Sequence, residues 1–88
     1  MKIEITRKFQ KQVNSCNDQL IRKKVGNILE DAASVRTMSG FCNLKKLRGS
    51  KNSYRIRAGN YRIGLIIDDD LVIFAAFDHR SDIYKYFP

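Results

Sequence analysis

At 88 residues and 10.2 kDa the chain has the size of one small domain, expected to span residues 1–88, with no room for a second catalytic domain or a long linker. Hydrophobic residues at 43% with one Pro suffice for a core and argue against disorder, a collagen-like repeat or a Pro-rich linker. Lys and Arg number 17 against 9 Asp and Glu, and the resulting +8 points to a polyanionic partner.

In chain order, Ile3 and Ile5 alternate with Lys2, Glu4 and Thr6, the period of a short half-buried strand. Thr6 is a candidate N-cap, and Phe9, Val13 and Cys16 follow at helical spacing on one face of a first helix. Asn17 or Asp18 can break and recap the chain before a second apolar stripe, Ile21, Val25, Ile28, Leu29 and Ala32. The short connector between the helices implies an antiparallel pair. From Ser34 to Asn43 the periodicity dissolves, and this segment reads as the link from helices to sheet. Ser53 to Ala58 then alternates as a strand, Gly59-Asn60 makes a two-residue hairpin turn, and Tyr61 to Asp68 is the return strand. A second tight turn at Asp69 leads to a third strand, Leu71 to Phe77. The fold class is α+β: an N-terminal strand, two helices and an antiparallel β-meander in a two-layer sandwich, with the helices on one sheet face.

No apolar run approaches the ~20 residues of a bilayer span, so no membrane role is expected. Met1 to Ile5 carries an acid and no apolar core of a leader, which makes the cytoplasm the default compartment. Cys16 and Cys42 lie too far apart for a metal or redox CxxC motif and read as packing residues; with one histidine and no nearby cysteine, no metal site is expected.

The charge is unevenly placed. Between Asp31 and Asp68 there is no acidic residue, while Arg36, Lys45, Lys46, Arg48, Lys51, Arg55, Arg57 and Arg62 are all basic. The rest of the chain balances, so the entire net charge lies in residues 32–67. A two-residue turn at Gly59-Asn60 places Arg57 opposite Arg62, a like-charge pair that destabilises a sheet by roughly 0.2–1 kcal/mol, with Arg55 diagonally near. Tyr54, Ile56, Ala58, Tyr61, Ile63, Leu65 and Ile67 fall on the other face, against the helices, which turns the arginines toward solvent or a ligand. Planar, permanently charged forks concentrated on one face suit phosphate, which each can bind through two parallel hydrogen bonds. The sole histidine, His79, follows the last strand, and in an arginine-rich setting it is the natural proton donor or acceptor near neutral pH.

These residues carry a family resemblance. Leu44-Lys45-Lys46-Leu47-Arg48-Gly49, then Tyr54-Arg55-Ile56-Arg57, Gly59-Asn60-Tyr61-Arg62-Ile63, an Asp-rich turn, a hydrophobic strand and His79-Arg80-Ser81-Asp82-Ile83-Tyr84 together resemble the RelE/ParE toxin superfamily of type II toxin–antitoxin systems. The likeness is strongest over residues 44–84, and the helical half fits in length and order. It implies a RelE-like mRNA interferase acting on the ribosome, or else a ParE-like inhibitor of DNA gyrase; a catalytically inactive RNA- or antitoxin-binding module is the third reading. Arg55, Arg57 and Arg62, which match the RelE catalytic strands, Arg80 and Tyr84, which match the C-terminal catalytic pair, and the short helical half favour the RelE-like branch. RelE-like sites often carry lysine where this chain has Arg55 and Arg57, and a guanidinium holds its proton firmly, so His79 is the residue that can compensate.

The implied reaction is attack of a ribose 2′-hydroxyl on the adjacent phosphate, with no metal or nucleotide cofactor. The resemblance puts Arg55, Arg57, Arg62, His79, Arg80 and Tyr84 at the catalytic centre and leaves Lys45, Lys46, Arg48 and Lys51 for RNA backbone. It also implies a cognate antitoxin, the ribosome and mRNA as partners, and a toxin that is monomeric when free. Four residues after Tyr84 leave no room for a displaceable C-terminal helix, so the antitoxin is expected to mask the basic face directly.

Overall fold

The computed structural model describes all 88 residues. Strand β1 (Lys2–Ile5) leads into helix α1 (Arg7–Asn14) and helix α2 (Gln19–Ser34). A 3-10 turn at Met38–Gly40 precedes strands β2 (Leu44–Lys46), β3 (Ser53–Ala58), β4 (Tyr61–Asp68) and β5 (Leu71–His79), and a last 3-10 turn spans Ile83–Lys85. The sheet order is β1-β5-β4-β3-β2, antiparallel except that β1 runs parallel to β5. The α+β two-layer expectation holds.

Local chemistry explains where the helices begin. The Thr6 side-chain oxygen accepts the Phe9 N–H at 3.1 Å, and Asp18, rather than Asn17, takes the Leu20 and Ile21 N–H groups at 3.0 and 3.2 Å. Each cap satisfies amide groups that the helix itself leaves without a partner. Helix α1 ends two residues short of Cys16, yet Cys16 is still buried, in the link to α2. Helix α1 packs on β5 while α2 packs on β1 and β3, so the sheet is the surface the two helices share. Phe9 inserts between Phe74 and Phe77 with edge-on ring contacts at 5.6 and 6.4 Å. Ile56, Ile63, Leu65, Ile67 and Val72 complete this core under Val25 and Ala32. Tyr54 and Tyr61, expected on the same face, are half-buried at its margin.

The β3–β4 hairpin has the register expected of a two-residue turn: Ala58 faces Tyr61, Arg57 faces Arg62 and Ile56 faces Ile63. Gly59 adopts a φ of +62°, which suits glycine at the first turn position. A Cβ there would also lie 2.8 Å from Ile21, so the turn closes against α2.

Three features depart from the sequence reading. Leu44–Lys46 forms an edge strand beside β3, and β5 continues to His79, two residues beyond the expected end. More consequential is a bulge: Gly64 pairs with Ala76 but Leu65 pairs with Phe74, leaving Ala75 as an extra residue in β5. One extra residue reverses which face later side chains occupy. Phe77 therefore joins Phe74 under the helices, and Ala76 moves to the far face. The Thr6 hydroxyl donates to the Ala75 carbonyl at 3.0 Å, satisfying a group the bulge exposes.

On that far face, expected to meet solvent or a ligand, the C-terminal turn builds a second small core. Ala76, Ile83 and Phe87 are buried together, with Leu47, Ile66 and Ala75 at its margin. Phe87 comes so close that a Cβ on Gly64 would stand 2.7 Å from its ring. Ile83 is fully buried. Ile83→Ala should therefore cost about 2–5 kcal/mol, which in a domain of this size lowers the thermal midpoint by roughly 4–8 °C per kcal/mol. A midpoint within a degree or two of wild type would show that the C-terminal turn is not part of the cooperative fold.

Candidate functional site

Register concentrates positive charge on the face away from the helices. Lys45 on β2 stands opposite Arg55 on β3, and Arg57 opposite Arg62. Arg55 and Arg57 are two residues apart and share a face. Two like-charged cross-strand pairs thus sit side by side, an arrangement that costs the sheet roughly 0.2–1 kcal/mol each. No carboxylate relieves them, since the one ion pair in the chain joins Lys85 to Asp82 at 3.1 Å, on the exposed C-terminal turn.

Backbone carbonyls hold two of the guanidiniums in place. Arg55 Nη1 donates to the Asn43 carbonyl at 2.9 Å, and Arg62 Nη1 donates to the carbonyls of Gly59 and Tyr61, both at 2.8 Å. Each contact occupies one nitrogen of a five-donor fork, so both side chains are braced and still carry free N–H groups.

The end of β5 supplies the second wall. The Arg80 N–H donates to the Asn60 carbonyl at 2.8 Å, tying the segment after β5 to the β3–β4 turn. The His79 ring is held by Ser81: the Ser81 N–H donates to Nδ1 at 3.2 Å and the Ser81 hydroxyl lies 2.8 Å from the same nitrogen. An amide N–H can only donate, so in the neutral ring Nδ1 accepts and the proton sits on Nε2. The hydroxyl, which can reverse its role, becomes the acceptor when Nδ1 is protonated. Tyr84 projects from the C-terminal turn at 49% exposure, next to the fully buried Ile83 that anchors it.

These elements border an open, shallow cleft of about 580 Å³ lined by Lys45, Leu47, Arg55, Arg57, Arg62, His79, Arg80, Ser81 and Tyr84. All six residues proposed from the sequence for the catalytic centre are in that lining. Of the four assigned to RNA backbone, Lys45 lines the cleft, whereas Lys46, Arg48 and Lys51 are exposed outside it. Lys46 is one residue from Lys45 and so points to the opposite sheet face. Leu47 and Ser81 were not anticipated; the hydroxyl two residues after the only histidine was the available signal for Ser81.

Elsewhere, Cys16 is buried as expected of a packing residue, but Cys42 is exposed, because its segment runs over the surface between α2 and β2. Tyr61 is pushed above the usual tyrosine range, first by its charge interaction with Cys16 and then by burial, so it stays protonated beside the helix layer. No three His, Cys, Asp or Glu side chains cluster as a metal-ligand set, and no helix is long and apolar enough to cross a membrane.

The chain is similar to known proteins over nearly its whole length. The model of the family described as the ParE toxin of type II toxin–antitoxin systems matches residues 3–84. Toxin RelE3 of Methanocaldococcus jannaschii is 37% identical over the full length of both chains. The crystal structure of a RelB–RelE antitoxin–toxin complex from Methanococcus jannaschii contains a chain that superposes with a TM-score of 0.82 at 35% identity, covering 97% of this chain and 99% of that one. In the intact RelBE complex of E. coli the match has a TM-score of 0.63 at 20% identity, over 89% and 94% of the two chains, a likeness of fold. With the matched profile, a full-length relative and the shared architecture in agreement, this chain belongs to the RelE/ParE toxin superfamily of type II toxin–antitoxin systems.

Proposed function

We propose that residues 1–88 form a single, metal-independent endoribonuclease that cuts mRNA on the ribosome, monomeric when free and silenced by a cognate antitoxin that covers its basic face. The observation that carries this reading is the cleft itself, where Arg55, Arg57, Arg62 and Arg80 meet His79 and Tyr84 with no carboxylate in the lining. The names of the RelE relatives and their RelB complexes support the toxin and antitoxin parts of it. The ribosome would place the reaction in the cytoplasm.

Cleavage joins the ribose 2′-oxygen to the adjacent phosphorus and breaks the bond from phosphorus to the 5′-oxygen. The 2′-hydroxyl loses its proton and the departing 5′-oxygen gains one, leaving a 2′,3′-cyclic phosphate and a 5′-hydroxyl. The protein must align nucleophile and leaving group, neutralise the charge that grows on the phosphoryl oxygens, and handle the proton. Arg57 and Arg62, opposed across the hairpin, are assigned to the phosphate, with Arg55 beside them. The imidazolium form of His79 gives its Nε2 proton to the departing 5′-oxygen while the Ser81 hydroxyl accepts from Nδ1–H, water takes the proton of the 2′-hydroxyl, and Arg80 lies alongside the leaving oxygen. Tyr84 stacks on an unpaired base or orients the 2′-hydroxyl. Lys46, Arg48 and Lys51, outside the cleft, would meet ribosomal RNA backbone through salt-sensitive contacts.

Expression without antitoxin is expected to arrest growth by stopping translation. Labelled methionine and thymidine incorporation, followed together after induction, should show methionine uptake collapsing first, and primer extension should find new 5′ ends within coding regions. Thymidine uptake collapsing first would instead support gyrase inhibition, the activity associated with ParE-like members of the superfamily. Growth without any change in incorporation would leave an inactive binding module.

A further inference from the structure

Register places Asp78 directly opposite Arg62 in the β4–β5 ladder. Opposite charges in such a pair have Cβ atoms about 5 Å apart and ordinarily attract. Yet Asp78 and Arg62 form no ion pair, and Asp78 is absent from the cleft lining.

A chain of hydrogen bonds accounts for this. The Asp78 Oδ2 accepts the Tyr86 hydroxyl at 3.0 Å, and Oδ1 accepts the His79 N–H at 2.8 Å. Tyr86 in turn accepts from Gln12 Nε2 at 2.6 Å. Gln12 can turn only one way, because its Oε1 takes the Phe77 N–H at 3.0 Å, a β5 amide beyond the reach of β1. The Lys8 ammonium lies 3.8 Å above the Tyr86 ring and fixes it from the other side. Partial burial, supported by Asp78 and opposed by the Gln12 hydrogen bond, raises the half-exposed Tyr86 above the usual tyrosine range, so its hydroxyl keeps the proton it donates.

We propose that Tyr86, oriented by Gln12, is a positioning residue that holds the Asp78 carboxylate away from Arg62 and so keeps that guanidinium available to an RNA phosphate. Released, the carboxylate would compete for Arg62 as a tethered anion, always present beside the site. This rests on the reading of the cleft as a phosphate site, and the following experiment separates the two.

The probe is a fluorescein-labelled single-stranded oligodeoxynucleotide, which lacks the 2′-hydroxyl and cannot be cut. Its anisotropy is titrated at low salt with wild type, Tyr86→Phe, Asp78→Asn, the double variant and Arg62→Ala, alongside each thermal midpoint. Tyr86→Phe keeps the ring under Lys8 and removes only the hydroxyl; binding should weaken by roughly two- to fivefold, the scale of an exposed ion pair. Asp78→Asn should bind as tightly as wild type or more so, and the double variant should match Asp78→Asn, since no carboxylate remains to intrude. Wild-type binding by Tyr86→Phe would overturn the proposal. So would a double variant as weak as Tyr86→Phe, which would trace the loss to a displaced C-terminal turn. If wild type fails to bind, or Arg62→Ala binds equally well, the cleft reading itself falls and this inference with it.

Discussion

Arg62→Ala is expected to lower cleavage of mRNA on programmed ribosomes by about 10²–10³-fold, the usual cost of removing one preorganised donor to a developing oxyanion. The fold should survive. The variant loses the bonds to the Gly59 and Tyr61 carbonyls, together worth roughly 1–3 kcal/mol, and gains relief from Arg57, roughly 0.2–1 kcal/mol. The net cost is then about 0–3 kcal/mol, which leaves the variant folded at assay temperature while single-turnover cleavage collapses. Arg62→Lys keeps the charge without the planar fork and should recover part of the rate. A folded Arg62→Ala protein that cuts at the wild-type rate would remove Arg62 from the chemistry.

The second large effect is expected at His79. Glutamine has comparable reach and can offer an N–H where Nε2–H now stands, but it cannot gain or lose a proton near neutral pH. If the ring moves the proton, His79→Gln should slow single-turnover cleavage by about 10²–10⁴-fold. The pH–rate profile of wild type should carry a bend that vanishes in the variant, because arginine stays charged throughout. The Ser81 contacts sharpen this test: the neutral ring is held with its proton on Nε2, so a surviving rate in His79→Gln would identify His79 as a hydrogen-bond donor only. Proton transfer would then fall to Arg80 or to water.

The basic segment and the hairpin were legible early because both are local properties. A run from residue 32 to residue 67 without an acid can be read directly, and a two-residue Gly-Asn turn dictates that Arg57 meets Arg62 wherever the hairpin sits in the fold. Thr6 could be read as a cap, and the second cap narrowed to Asn17 or Asp18, for the same reason, since a cap serves amides two or three residues away; the structure selects Asp18. The family resemblance extended this to His79, Arg80 and Tyr84, whose meeting with the arginines spans the length of β5 and the turn beyond it.

What the sequence by itself determined, then, is the two helices, four of the five strands, the charged face and the register across one short turn, all governed by interactions within a few residues. The tertiary structure decided the rest. Strand β1 pairs parallel with β5 across nearly the whole chain, and nothing in Lys2–Ile5 names its partner. Strand β2 is three residues long, too short for alternation to register. The extra residue at Ala75 reverses the facing of Ala76 and Phe77, creating a place for Ile83 and Phe87 on a face that strict alternation leaves to solvent. Gln12, Tyr86 and Asp78 come from α1, the C-terminus and β5, and their meeting depends on where β1 stops and leaves the β5 edge open. Such contacts are chosen by the packing of distant segments, where the stabilisation comes from burial and from satisfying amides that no local pattern can see.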